Sequence, residues 1–194
     1  MIDETLRKIA DYQMLHASFN PDIGLLNGRM GIILFFFHYA RHTGYSIYED
    51  FASSLLDDLC DDISIDTPIN FADGLCGIAW GITYLCKQGF IDNEPYEILS
   101  DIDNRIMERD ILRITDNSFE FGFEGLALYI SERLRDLNKK YDFDVSYLNS
   151  FNITCNNKRW ECPKSISAFV FKKIKEQSLK GDGWQSALFE MAIK

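Results

Sequence analysis

The chain has 194 residues, of which 46% are hydrophobic, enough for a globular protein with a buried core. Its formal net charge of −10 argues against nucleic acid and anionic lipid as partners, because both are bound through basic surfaces. A basic peptide or protein partner is compatible with that charge. No signal peptide is recognisable, and no apolar run approaches the roughly 20 residues of a membrane-spanning helix, so we expect a cytoplasmic protein without a membrane segment.

The first predicted elements are two helices. Residues 2–15 have the pattern of an amphipathic helix. Residues 27–32 follow with the pattern x-G-x-x-G-apolar, which we call a glycine segment. The apolar run of residues 32–39 comes directly after it and predicts a helix that is buried on all sides.

The same succession appears again along the chain. Ser46 has the capping-box form S-x-x-E and predicts an amphipathic helix that runs to about Ile63. Residues 73–78 form a second glycine segment, followed by an apolar helix over residues 78–85. A further amphipathic helix is predicted from near Pro95, which suits the first turn. The outer face of the helix after Ser46 is expected to carry solvated aspartates, namely Asp57, Asp58, Asp61 and Asp62.

The third glycine segment, residues 121–126, opens an apolar helix over residues 126–134. Residues 142–162 contain several asparagines and few helix signals, so we expect an irregular segment there. Residues 163–179 read as an amphipathic helix. A short last helix, residues 185–193, is predicted after the turn that contains Gly181, Asp182 and Gly183.

Helix ends repeat as well. Asn27 and Asp73 are residue types that favour the N-cap position of the two apolar helices. Gly44 and Gly89 lie 45 residues apart (89 − 44 = 45) and suit the left-handed position after a helix.

The glycine segments therefore define a repeat, with spacings of 46 (77 − 31) and 48 (125 − 77) residues. This period suits pairs of helices, with inner helices covered on all sides and outer helices facing water. We predict an all-α protein of (α/α) toroid type, an incomplete ring of about four repeats in one domain, residues 1–194. Its clear repeats are residues 1–141, followed by the irregular segment 142–162 and the C-terminal helices 163–193. The glycines expected to let the inner helices start close to a neighbouring backbone are Gly28, Gly31, Gly74, Gly77, Gly122 and Gly125.

Two stretches, residues 24–37 and 73–82, resemble the G-L-x-x-G-x-x-G-I start of the inner helices of lanthionine synthetase C-like (LanC-like) proteins. The chain is similar to the N-terminal half of that toroid. The resemblance implies a peptide-modification ancestry, in which catalytic members bind zinc through two cysteines and one histidine. That zinc holds a peptide cysteine as the thiolate, which adds to a dehydrated serine or threonine and forms a thioether.

The ligands of the family lie in later repeats, in a tryptophan-cysteine and a Cys-His-Gly segment, and this sequence departs from both. Gly74-Leu75-Cys76-Gly77 lacks the histidine, and Trp160-Glu161-Cys162-Pro163 echoes the other segment only superficially. No histidine follows His42. We therefore predict no zinc ligand and no other cofactor.

Three charged residues beside glycine segments are candidate ligand-binding residues: Arg29, Glu120 and Glu124. A surface arginine and ordinary stabilisation of a helix N-terminus are the alternative interpretations. His38 and His42 have the i, i+4 spacing of a metal-binding pair, but no third ligand is near, so we favour a helix C-terminal role.

Cysteine usage fits the expected compartment. The chain has five cysteines, an odd number, and none of them forms a C-x-x-C motif. We expect reduced thiols, several of them buried, rather than a disulfide or metal site at Cys155 and Cys162.

Three functions remain open at this stage. The favoured one is a LanC-like accessory protein that binds a peptide or protein in thioether (lantibiotic) peptide biosynthesis and is not catalytic on its own. The alternative is an active enzyme, either a minimal thioether cyclase or an (α/α)-toroid hydrolase that uses acidic residues. The third is a structural module whose open arc is closed by homodimerisation or by pairing with a second subunit.

Overall fold

In the computed structural model, residues 4–92, 95–135, 141–178 and 183–193 are described, and within them the chain is helical without any strand. This confirms the predicted all-α class. The α-helices are α1 (Glu4–His16), α2 (Arg29–Thr43), α3 (Ser46–Asp61), α4 (Leu75–Lys87), α5 (Tyr96–Met107), α6 (Phe123–Arg135), α7 (Val145–Lys158), α8 (Ile166–Gln177) and α9 (Trp184–Ala192). Short 3₁₀ helices occupy Ala17–Phe19 and Ile111–Arg113. Among the described residues, no helix combines the length and apolarity needed to cross a bilayer.

The chain divides into two compact units. The first contains the residues up to Asp66 together with those from Ser167 onward, and the second contains Thr67–Ile166.

The first unit is built around α2. Every residue from Arg29 to Ala40 is buried, as the continuous apolar run predicts. Helices α3 and α9 both pack against α2, and the rings of Phe36 and of Phe51 on α3 meet edge-on, with 4.9 Å between their centroids. Helix α2 ends at Gly44, whose φ of 75° is the left-handed conformation expected there.

The second unit packs α4 against α6, with α5 and α7 around them. Helix α7 occupies residues 145–158, so the prediction of an irregular segment over 142–162 is wrong. Asp144 caps α7 by accepting a hydrogen bond from the Tyr147 N–H at 2.6 Å, and Tyr147 and Phe151 bury one face. The asparagines that suggested a loop lie on the exposed face instead: Asn149, Asn152, Asn156 and Asn157.

The predicted N-caps are also wrong. The N-cap residues of α2 and α4 are Gly28 and Gly74 rather than Asn27 and Asp73, and neither helix has a side-chain cap. Ser46 is the first residue of α3, one position too late for the predicted capping box.

The C-terminal helices occupy the predicted ranges. Helices α8 and α9 lie within the ranges 163–179 and 185–193 to within a residue. The predicted turn residues Gly181 and Asp182 lie outside the described residues, whereas Gly183 has a φ of 85° and is the N-cap of α9.

Candidate functional site

The three glycine segments share one hydrogen-bonding arrangement. In each, the first N–H of the following helix donates to the main-chain carbonyl seven residues earlier, in the loop before the glycine segment. The donor–acceptor pairs are Arg29 and Asp22 (2.8 Å), Leu75 and Pro68 (2.8 Å), and Phe123 and Asp116 (2.9 Å). A main-chain carbonyl thus satisfies an N–H that a capping side chain serves in other helices. The sequence repeat is therefore a structural repeat.

Glycine is required in these segments by close approach of the backbone. A Cβ on Gly74 would meet the carbonyl oxygen of Pro68, and one on Gly125 would meet the carbonyl of Phe119 and the side chain of Phe71. Gly77 is buried in the first turn of α4. Equivalent backbone contacts are made at the remaining predicted positions, Gly28, Gly31 and Gly122.

The second and third glycine segments lie side by side, and Glu120 joins them through its backbone. Its carbonyl accepts hydrogen bonds from the N–H groups of Phe71 and Ala72, at 3.1 and 3.0 Å. The Glu120 side chain is half-buried, as is that of Glu124 in the first turn of α6. The structure therefore brings these two predicted residues to the same helix start, where Glu124 suits the helix dipole.

Arg29, the third predicted residue, belongs to the first unit and is buried rather than on the surface. Its Nη2 pairs with the carboxylate of Asp62, at the end of α3. The neighbouring Asp57, Asp58 and Asp61 are exposed, as predicted. The buried guanidinium has a counter-ion because it reaches the carboxylate of Asp62, whose own side chain is 57% exposed.

A small cleft in the second unit lies between the end of α5, the 3₁₀ helix and the start of α7. Its volume is about 180 Å³. That is less than the roughly 300 Å³ of the smallest typical cofactor or drug sites, so it suits one side chain or a chain terminus. The residues that line it are Met107, Arg109, Asp110, Ile111, Asp144, Ser146, Tyr147 and Ser150.

The two carboxylates of the cleft are engaged in local structure. Asp110 accepts a hydrogen bond from the Leu112 N–H at 3.1 Å and pairs with Arg113 at 3.1 Å. Asp144 caps α7. Their negative charges are thus already partly balanced, by a guanidinium in one case and by a helix N-terminus in the other.

Arg109 is the charged residue of the cleft whose guanidinium N–H donors have no acceptor among the described residues. It is half-buried, and none of the described residues forms a hydrogen bond or ion pair with its guanidinium. Beside it, the Tyr147 hydroxyl donates to the Ile106 carbonyl at 3.2 Å, and burial raises the pKa of Tyr147 above its usual value. Tyr147 is therefore a neutral, structurally committed neighbour.

A buried ionic network also lies in this unit. The Asp103 carboxylate on α5 accepts hydrogen bonds from the Tyr129 hydroxyl at 2.6 Å and from Arg133 Nη2 at 2.9 Å, both on α6. Burial raises the pKa of Tyr129 well above its usual value, and the charge of Asp103 adds to this effect. The sequence analysis missed this network, although Asp103 falls on the same helical stripe as Leu99, Ile102 and Ile106, where a charge signals a buried partner.

Comparison with known proteins now identifies the family. The family described as lanthionine synthetase C-like protein matches residues 21–168, which is 148 of 194 residues (168 − 21 + 1). The chain belongs to the LanC-like family. No curated protein and no solved structure matches it significantly. The family match includes all three glycine segments and the whole cleft of this LanC-like protein.

The residues of this LanC-like chain do not fit the zinc site of catalytic members. No group of three histidine, cysteine, aspartate or glutamate side chains is placed to hold a metal within the described ranges. Cys76 is fully buried, and burial raises the pKa of its thiol. His38 is buried with its ring against Phe171, while His42 is exposed.

The remaining cysteines are free thiols. Cys76 alone is fully buried among the five, so fewer are buried than expected. Burial raises the pKa of Cys60 and of Cys155 to about 11 in each case. Cys162 is exposed and accepts a hydrogen bond from Arg135 Nη2 at 3.2 Å.

Proposed function

We propose that this LanC-like protein binds a peptide, or a protein that matures one, as an accessory subunit of thioether peptide biosynthesis, and that it does so without zinc. The observation that carries the proposal is the combination of retained and missing features. The inner-helix starts of the family are present in triplicate, whereas the sequence has no Cys-His-Gly and no histidine after His42.

The surface and the cleft support a peptide as the ligand. A net charge of −10 attracts a basic peptide over distances of about 10 Å at moderate salt. The cleft of about 180 Å³ accepts one residue of such a peptide, with charged, hydroxyl and apolar groups in its lining. A peptide that lies over the acidic surface and inserts one residue uses both features.

Zinc analysis tests the non-catalytic part of the proposal. The protein is purified without chelator and its zinc content measured by mass spectrometry, with a zinc-dependent LanC-like cyclase as the positive control. We expect far less than one zinc per chain. One tightly held zinc per chain would overturn this part.

A binding and turnover assay tests the accessory role. The ligand is a precursor peptide of thioether peptide biosynthesis that contains serine, threonine and cysteine, and binding is measured by calorimetry before and after dehydration of its serines and threonines. Because thioether addition leaves the peptide mass unchanged, cyclisation is followed by the loss of alkylatable cysteine thiol. We expect binding without thiol loss. Thiol loss that depends on this chain would instead establish a cyclase.

An acid–base hydrolase is the second candidate, and the two aspartates of the cleft favour it. Asp110 and Asp144 both line the cleft, as a pair of catalytic carboxylates would. Their engagement with Arg113 and with the start of α7 places this candidate second. Nitrophenyl glycosides are a suitable probe: hydrolysis that Asp144→Asn abolishes would favour the hydrolase.

A homodimer that closes an open arc of repeats stays a prediction. In the first unit, α9 packs on α2, and Trp184 lies against Gly31, so the same chain covers this end of an inner helix. Sedimentation velocity over a hundredfold concentration range measures the association. A monomer throughout would leave only a different protein as the partner.

A further inference from the structure

We propose that the cleft beside Arg109 binds a carboxylate of the peptide, either its C-terminal carboxylate or an acidic side chain. This inference rests on the proposed peptide-binding function and assigns a chemical group to its site.

Arg109 carries the inference because its half-buried guanidinium forms no hydrogen bond and no close ion pair with a described residue, although the Asp116 carboxylate is near enough to interact with it electrostatically. A guanidinium loses hydration when it is partly buried, and proteins compensate this cost with an acceptor. The fork of N–H donors on arginine matches the two oxygens of a carboxylate, which allows two parallel hydrogen bonds. Four other arginines of the second unit donate to acceptors within the chain, namely Arg105, Arg113, Arg133 and Arg135.

The aspartates of the cleft do not fill this role. Asp110 is paired with Arg113, and the Asp144 carboxylate accepts the N–H of Tyr147 at 2.6 Å. Each therefore has a structural partner that is not Arg109. Because neither aspartate pairs with Arg109, the N–H donors of its guanidinium remain open to an acceptor from a ligand.

The rest of the lining suits the residue that bears the carboxylate. Ser146 and Ser150 lie one turn apart on α7, so their hydroxyls are available on one face to a peptide N–H or C=O. Exposed apolar side chains adjoin the lining in sequence, with Leu112 55% exposed and Val145 76% exposed. A terminal residue with an apolar side chain fits these features and the volume of about 180 Å³.

The test is a titration of the ¹⁵N-labelled full chain with three small probes, followed by NMR. N-acetyl-L-leucine presents an α-carboxylate, N-acetyl-L-leucinamide lacks it, and the α-amide of N-acetyl-L-glutamate presents only a side-chain carboxylate. We expect at least one of the two carboxylates to shift the amide signals of Arg109, Ser146 and Ser150. The neutral amide should bind at least tenfold more weakly. Which carboxylate binds more tightly identifies the source of the group.

Two variants make the test specific. Arg109→Gln should weaken binding of the carboxylate at least tenfold. Arg135→Gln removes the same charge from an exposed arginine of the second unit that does not line the cleft, and it should change binding less than twofold. Unchanged thermal midpoints show that both variants are folded. Equal binding of acid and amide, equal effects of the two variants, or no shift at the cleft with either carboxylate would overturn the inference.

The outcome is separable from that of the proposed function. If the precursor peptide binds this chain and its affinity is unaffected by Arg109→Gln, the carboxylate site fails while the accessory function stands. Stoichiometric zinc or thiol loss would contradict the accessory function and leave the titration result unaffected.

Discussion

Replacement of Arg133 by methionine should be among the most destabilising single changes in this protein. The Arg133 and Asp103 side chains are 1% and 0% exposed, with Nη2 and Oδ2 separated by 2.9 Å. At an effective dielectric constant of about 20, two unit charges at that distance attract by about 6 kcal/mol. Methionine keeps the unbranched apolar stem of the side chain but leaves the Asp103 carboxylate buried with the Tyr129 hydroxyl as its remaining side-chain donor.

We expect Arg133→Met to lower the free energy of unfolding by about 3–5 kcal/mol, because one buried charge loses its counter-ion. Since domains are stable by only about 5–15 kcal/mol, the variant should remain folded but unfold at a much lower urea concentration. Asp103→Leu should show a similar loss. The double variant Asp103→Leu/Arg133→Met should be more stable than either single variant, because no unpaired charge remains.

Urea unfolding followed by circular dichroism measures all three variants. Lys87→Met is the matched control, because Lys87 pairs with Glu132 of the same helix α6 but is 27% exposed. That pair should contribute about 0–1 kcal/mol. If Arg133→Met costs no more than the control, or if the two single losses simply add in the double variant, the reasoning about the buried charges is refuted.

Three further predictions concern other parts of the molecule. Burial lowers the pKa of His38 from 6.5 to about 4, so its stabilising contribution is complete above pH 6.5 and is lost as the pH falls toward 4. Between pH 8 and pH 5, the free energy of unfolding of the wild type, measured with urea, should fall by about 2 kcal/mol more than that of His38→Gln. Equal losses would contradict a buried imidazole that is neutral in the folded protein. Gly125→Ala should cost about 1–3 kcal/mol in the same assay, because its methyl group meets a main-chain carbonyl and a ring; a neutral effect would refute that close approach. A thiol reagent at pH 8 should label exposed Cys162 at once and buried Cys76 only at the rate of unfolding, which peptide mapping after alkylation distinguishes.

The fold was largely predictable because only glycine fits where two backbone segments come into close contact. Only glycine fits where a Cβ would meet the carbonyl of Pro68, so the glycine spacing revealed the repeat directly. The burial of α2 was predictable from its unbroken apolar run. The caps were not predictable, because the acceptor for Leu75 is a main-chain carbonyl, which any residue type supplies.

The site was less predictable because it depends on partners that are distant in sequence. From the sequence alone, Arg29 is expected on the surface. Its partner Asp62 lies 33 positions later in the chain, and only the fold shows that the two side chains pair. Arg109 reads as an ordinary charge at the end of α5, and only the fold shows that no described residue pairs with it. Helix α7 was missed for the opposite reason, since its asparagines lie on one exposed face and its few buried residues are spread along the other.

The packing of α9 on α2 has a consequence for the synthesis of this chain. The second unit is continuous in sequence and can assemble as soon as residue 166 has left the ribosome. The first unit cannot, because Trp184, which lies against Gly31, is translated about 150 residues after the helix it covers. Throughout that interval α2 can be covered by α3 but not by α9, so the packing of this buried helix is completed only after the C-terminal segment has been synthesised.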